Sequence, residues 1–182
     1  SELRTALMEA AGGGHTEMVT ALLAAPGLEP PLAVNAADVD GATALMWAAG
    51  RGHAETVTAL LAAPGLDVNA ADAAGRTALT QAAERGEAEA VTALLAAPGI
   101  DVNATNGNGD TALIWAARKG RTEPVAALLA APDLDVNATD GDGNTALIVA
   151  ALSLHTETYA ALLAAPRLDV NATDHLGFTA LK

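Results

Sequence analysis

Cysteine is absent from the 182 residues, which at once excludes disulfide staples, thiolate metal sites and cysteine nucleophiles. Aromatic residues are almost absent as well: two Trp, one Tyr and one Phe make up 2% of the chain. A core cannot then be filled by large rings. It must be built of Ala, Leu and Val, and Ala alone supplies roughly a quarter of the residues, far above its usual share. Small side chains demand close backbone approach, which points to helices lying against helices. Positive charge is scarce, with 9 Lys+Arg against 22 Asp+Glu and a formal net charge of −13. That balance argues against nucleic acid as a partner, because phosphate binding needs an electropositive face. Long apolar runs are missing too. The longest largely apolar stretch, Ala146 to Leu154, falls far short of the ~20 residues a membrane span requires. No basic-then-apolar leader opens the chain, so an intracellular, cytoplasmic setting away from membranes is expected.

What the chain does have is repetition. Thr-Ala-Leu begins at Thr5, Thr43, Thr77, Thr111, Thr145 and Thr179, with spacings of 38 and then 34 throughout. Ala-Leu-Leu-Ala-Ala-Pro ends at Pro26, Pro64, Pro98, Pro132 and Pro166 with the same intervals. Val-Asn ends at Asn35, Asn69, Asn103, Asn137 and Asn171, always 34 apart. The long first interval is therefore a four-residue insertion between Pro26 and Asn35. The segment Pro30-Pro31-Leu32-Ala33 is expected to project as a longer connector without breaking the stack. The chain length fits one domain over 1–182, with units at about 1–34, 35–68, 69–102, 103–136 and 137–170 and a partial sixth at 171–182.

Each unit reads as two short helices and an extended connector. In the third, Thr77 is placed to cap a helix over 78–85. Gly86 suits the left-handed residue that ends it. A second helix begins near Glu87 and Glu89, presents Val91, Leu94 and Leu95 on one face and stops at Pro98-Gly99. Neither helix is long enough to stand alone, so stability must come from stacking one unit on the next.

These residues resemble a known family. Asp38 to His53 is similar to the opening half of an ankyrin repeat, and Val57, Leu60-Leu61 and Asp67-Val68-Asn69-Ala70 are similar to its second half. The resemblance spans essentially the whole chain and implies an all-α ankyrin-repeat solenoid of stacked antiparallel helix pairs with hairpin-like connectors. Departures are visible. The period is 34, one more than the family's usual repeat, because a Pro is added after the second helix. The family's Thr-Pro-Leu-His becomes Thr-Ala-Leu followed by Met8, Met46, Thr80, Ile114 or Ile148, so apolar contact should replace the His hydrogen bonds. Leu154 stands where Gly14, Gly52, Gly86 and Gly120 stand. A Leu in the left-handed region costs about 1–2 kcal/mol, so a distorted or lengthened helix end is expected around Leu152 to His155. Pro124, in the first turn of its helix, should cause no break.

Chemistry has little to stand on. His15, His53 and His155 share one register and His175 lies at the last hairpin tip, but two neighbouring His without a third ligand make a weak metal signal. Asp140-Gly141-Asp142-Gly143-Asn144 imitates the start of a calcium loop, yet Ala151 stands where the bidentate acid belongs. Turn chemistry is the better reading. Asn69, Asn103, Asn137 and Asn171 each follow Asp-Val with Leu eight positions earlier, which resembles the site of an oxygen-dependent asparaginyl hydroxylase; bracing of the local backbone is the plainer role. No catalytic, cofactor-binding or metal-binding residue is assigned.

The resemblance implies a non-catalytic module that binds a protein or peptide through hairpin tips and the inner faces of the first helices. Mapped onto this sequence, the partner-binding candidates are Asp40, Trp47 and Arg51; Arg76, Gln81 and Arg85; Asp110, Trp115, Arg118 and Lys119; and Asp142 and Asn144. Both Trp fall at one register in alternate units, where either core filling or an interface hot spot is open. Arg51, Arg85, Arg118 and Lys119 fall at the ends of successive first helices, where they complement the helix dipole and can also steer a partner. The alternative is an engineered or structural scaffold with no natural partner, suited by the near-identity of the units. With Leu162 and Leu163 expected at an uncovered end, the chain reads as a segment of a longer array, prone to fraying or to end-to-end self-association.

Overall fold

The structure, a computed structural model, describes residues 5–25 and 34–181. Among these residues ten helices form in five pairs: α1 Ala6–Gly12 and α2 Thr16–Ala24, α3 Ala44–Ala49 and α4 Ala54–Leu61, α5 Ala78–Arg85 and α6 Ala88–Leu95, α7 Ala112–Arg118 and α8 Thr122–Leu129, α9 Ala146–Leu152 and α10 Thr156–Leu163. First helices pack on first helices and second on second, so α1, α3, α5, α7 and α9 make one row and α2, α4, α6, α8 and α10 the other. The arrangement is an all-α solenoid of stacked antiparallel pairs. Among the described residues strand character is confined to isolated bridges at connector bases, such as Ala37 with Thr43 and Thr139 with Thr145. The four-residue insertion lies outside the described residues.

Local signals set the helix starts. Thr5, Thr43, Thr77, Thr111 and Thr145 are extended, and each hydroxyl accepts from the N–H three residues on, which satisfies one orphan donor of the first turn. Burial then follows the repeat. Leu45, Leu79, Leu113 and Leu147 occupy one register of the first row, while Val57, Val91 and Val125 with Leu60, Leu94, Leu128 and Leu162 fill the second. The paired alanines Ala48-Ala49, Ala82-Ala83 and Ala116-Ala117 are buried where first helices meet. A larger residue there would push the row apart. Met8, Met46, Ile114 and Ile148 are buried in place of the family's His, and Thr80 pairs its hydroxyl with Thr77 at 3.1 Å. Pro124 is buried near the start of α8 and leaves that helix the same length as its neighbours.

Two expectations fail. Leu154 adopts φ 59° and makes the same turn as Gly120: the Leu154 N–H donates to Ala151 O at 3.1 Å and the His155 N–H to Ala150 O at 3.1 Å, as Gly120 and Arg121 donate to Ala117 and Ala116. Helix α9 is neither lengthened nor re-routed. Packing of α9 and α10 on the fourth unit fixes the turn, and the cost of a left-handed Leu is borne locally. Leu162, expected at an uncovered face, is fully buried, while Leu163 is 44% exposed. The helix stripe of α10 turns its Leu162 toward α8 and α9, against which it packs.

Candidate functional site

The hairpin tips are each built around one Asp or Asn side chain. Asp38 Oδ1 accepts from the N–H groups of Asp40 and Ala42 at 3.0 and 2.9 Å. Asp72, Asn106, Asp140 and Asp174 repeat the pattern with the residues two and four further on. Gly41, Gly75, Gly109, Gly143 and Gly177 supply the positive φ at each tip. At Gly41 a Cβ would also lie 2.8 Å from Ala73 N, so close approach as well as conformation requires glycine. The tips are joined through backbone bonds: Ala73, Gly107, Gly141 and His175 donate to Asp40, Ala74, Asn108 and Asp142 at 2.8–3.3 Å. The finger row is one hydrogen-bonded ribbon.

The second oxygens of Asp38, Asp72 and Asp140 meet side chains of the first helices. Asp38 Oδ2 accepts from Trp47 Nε1 at 3.0 Å. Asp72 Oδ2 accepts from Gln81 Nε2 at 3.2 Å and pairs with Arg76 at 2.9 Å. Asp140 Oδ2 accepts from Arg118 Nη2 at 2.9 Å, and the same guanidinium reaches Asp110 at 2.6 Å. Arg118 thus ties the fourth unit's connector to the fifth's. Burial alone would raise the Asp140 carboxyl, but bonds from Asn144, Arg118 and the Asp142 N–H outweigh it and hold the group below the usual carboxylate range. Burial would likewise lower Arg118, and its bonds to Asp110 and Asp140 instead raise it.

One unit breaks the pattern. Asn106 replaces the tip acid, and its amide donates to Asp110 Oδ2 at 3.3 Å. At the register where Asp38 offers Trp47 an acceptor, Asn106 offers a donor. Trp115 Nε1 is consequently buried with no hydrogen-bond partner among the described residues, as is Arg118 Nε. An orphaned buried donor of this kind costs about 1–3 kcal/mol.

At the ends of the first helices lies a row of cations. Arg51 Nη1 donates to Gly12 O at 2.7 Å, capping the end of α1, and its guanidinium stacks 4.9 Å from the Trp47 ring centre. Arg85 closes α5, and a Cβ on Gly50 would lie 3.5 Å from its Nε. Lys119 lies 5.5 Å from the centre of the Trp115 ring. Between tips and helices run shallow hollows: about 130 Å³ around Trp47 and Arg51, about 510 Å³ between Ala73-Ala74-Gly75 and Trp115, and about 410 Å³ between Trp115, Arg118 and Asp142.

The sequence-named residues therefore share one face, in different roles. Asp40, Arg51, Arg85, Lys119 and Asp142 are exposed, and Trp47, Arg76, Trp115, Arg118 and Asn144 are half-buried. Gln81 and Asp110 are 8% and 4% exposed and brace the others. The Asp140 string is occupied by its own turn: both oxygens receive N–H donors from Asp142, Asn144 and Arg118. Among the described residues no group of three or more His, Asp or Glu is placed to hold a metal ion.

A family model of ankyrin repeats in three copies matches residues 1–72 and 79–174. The chain belongs to the ankyrin repeat family. A solved structure of an ankyrin repeat protein, designated EF0377, is 29% identical, with a TM-score of 0.82 over 97% of this chain and 88% of that one. No curated protein sequence matches the chain. Ankyrin repeats in general mediate protein–protein interaction and carry no catalytic activity. Among the described residues no helix is long and apolar enough to cross a membrane.

Away from the shared face, these ankyrin repeats bond largely to one another. Asn69 Nδ2 donates to Gly99 O at 2.8 Å and its Oδ1 accepts from the Asp101 N–H at 2.8 Å. Asn35, Asn103 and Asn137 do the same to the next connector. The bracing is therefore between repeats, where the sequence reading expected it to be local. His53 and His155 approach the ends of α1 and α7, at Gly12 O and Arg118 O, each at 3.2 Å. At the same register Arg121 donates to Glu84 O at 3.2 Å. Thr16 meets Thr56 at 2.8 Å and Thr122 meets Thr158 at 2.9 Å across the second row.

Proposed function

We propose that this chain is a non-catalytic recognition module that binds a protein or peptide across its concave face, formed by the hairpin tips and the first helices. One observation carries the reading. The connector edge spends its polar side chains on bonds between repeats, whereas the tip and first-helix face leaves Asp40, Arg51, Arg85, Lys119 and Asp142 exposed beside two half-buried Trp. Trp and Arg are enriched at interface hot spots, and exposed charges around them suit the polar rim. The expected contacts are Trp47, Trp115 and the exposed charges. Gln81, Asp110 and Arg118 act as supports that hold the tips.

The test is selection of binders from a random peptide or small-domain library, followed by measurement against an Arg85→Glu, Asp142→Arg variant. Both sites are exposed, so the fold should persist. Binders that lose affinity for the variant support the reading; binders indifferent to it remove the concave face from consideration. A regular scaffold without a partner is the competing reading, favoured by the verbatim Ala-Leu-Leu-Ala-Ala-Pro of five units. Repeated failure to select any binder would favour it.

A further inference from the structure

The most informative surface feature is a row of positive charges that the protein does not use to neutralise its own acids. Arg51, Arg85 and Lys119 occupy one register in the second, third and fourth units, 34 residues apart. Helices α3, α5 and α7 pack side by side, which spaces the three charges on the order of 10 Å apart. Among the described residues none of the three forms an ion pair with a carboxylate; Arg76 and Arg118 do, with Asp72 and with Asp110 and Asp140. Among the described residues Arg51 bonds a backbone carbonyl and stacks on Trp47, and Lys119 faces the Trp115 ring. Complementing a helix dipole holds such cations in place without cancelling their charge. In a chain of formal net charge −13, the row sets three cations at the first-helix ends, on the same face as the exposed tip acids Asp40 and Asp142.

The row ends in an apolar step. In the fifth unit Ser153 takes the cation register, flanked by Leu152 and Leu154, which are 70% and 86% exposed. Leu154 stands at φ 59°, where the other units have glycine. It fills no core and does not help the turn, so neither packing nor backbone geometry accounts for a leucine there. Strain and exposed apolar surface combined at one lip of a binding face are features that recognition uses.

We propose that the partner is an acidic segment: an extended peptide whose carboxylates recur at the spacing of one repeat and face Arg51, Arg85 and Lys119, followed by an apolar side chain seated on Leu152 and Leu154. This rests on the concave-face reading above and adds the partner's chemistry to it. A polyproline II segment fits the spacing, because three residues per turn at about 3.1 Å each advance about 9 Å and return every third side chain to the same side. Carboxylates therefore belong at every third position, with the apolar residue three beyond the last.

The experiment is a fluorescence-anisotropy titration with a labelled twelve-residue peptide carrying Glu at its positions 2, 5 and 8, Leu at 11, and Pro or Ser elsewhere. Two controls share its length: one with Lys for each Glu, and one of identical composition with the three Glu adjacent. The spaced-Glu peptide should bind about tenfold tighter than either control and weaken at higher salt. The Arg85→Glu, Lys119→Glu variant should lose about tenfold or more. Leu154→Ser should lose affinity for this peptide and be indifferent to a version with Ser at position 11. Circular dichroism verifies that each variant is folded. Failure of the spaced-Glu peptide to bind, or binding that ignores charge reversal or equals the Lys control, overturns the proposal. Hydrogen exchange with whichever peptide binds separates the two readings. A Lys peptide that protects the ends of α3, α5 and α7 leaves the concave face standing and removes the acidic partner. A peptide that protects only α4, α6 and α8 removes both.

Discussion

Replacing Leu154 with Gly should stabilise the protein, and the size of the gain follows from the turn. Leu154 sits at φ 59°, and Gly120 makes the same turn at φ 66° with the same hydrogen bonds. Removing the Cβ relieves about 1–2 kcal/mol of left-handed strain. The unfolded chain gains freedom in return, which offsets about 0.5–1 kcal/mol. No burial is lost, because the side chain is 86% exposed. The net expectation is a gain of about 0.5–1 kcal/mol, or roughly 1–4 °C in Tm for a chain of this size. The gain should be concentrated in α9 and α10. Urea denaturation followed by circular dichroism measures the total, and native-state hydrogen exchange locates it. A neutral or destabilising outcome would show that Leu154 makes stabilising contacts, and the strain argument would be wrong. Leu154→Ala should stay near the parent, since Ala keeps the Cβ and so keeps the strain.

Trp47→Phe and Trp115→Phe remove the same indole at one register, but only Trp47 loses a hydrogen bond to a carboxylate. Thermal denaturation should show Trp47→Phe to be the more damaging by at least about 1 kcal/mol, and equal losses would contradict the orphaned-donor account. Asn103→Ala removes two bonds between connectors and should cost about 1–2 kcal/mol in urea melts. Asn171→Ala should cost under about 0.5 kcal/mol, because no bond to a following connector is formed by its side chain among the described residues. Asp140 is held below the usual carboxylate range, so its contribution is complete above about pH 4 and fades as pH falls through its lower folded value. Melts from pH 6 to 2 should therefore show Asp140→Asn less stable than the parent near neutrality and less steeply pH-dependent in acid.

The repeat and its elements were legible because they are local. Thr77 and Gly86 each act within one turn, and the recurrence of Leu79, Val91 and Leu94 marks the faces that stack. Leu154 was misread for an instructive reason: a strain of about 1–2 kcal/mol was weighed against local alternatives only. Moving the turn would also have displaced α9 and α10 from the units they pack against. The connector asparagines recur visibly, but their partners lie 30 and 32 residues on, so no local rule could name them. The structure places the candidate residues as neighbours but separates their burial: Gln81 and Asp110 are buried supports, while Asp40, Arg51, Arg85, Lys119 and Asp142 are exposed. The helix-end position of Arg118 suggests dipole complementation, whereas its partners Asp110 and Asp140 lie 8 and 22 residues away. The Trp115 orphan did have a signal in the sequence: Asn106 is the one tip residue of its register that is not Asp.

Recognition through the tips and first helices is tested most directly by a hydrogen-exchange footprint of a selected protein or peptide ligand on the whole chain. The account predicts slowed exchange at residues 39–42, 73–76 and 107–110 and at the ends of α3, α5 and α7, with α4, α6 and α8 unchanged. Slowed exchange confined to α4, α6, α8 or the asparagine connectors, with the first helices unaffected, would contradict it.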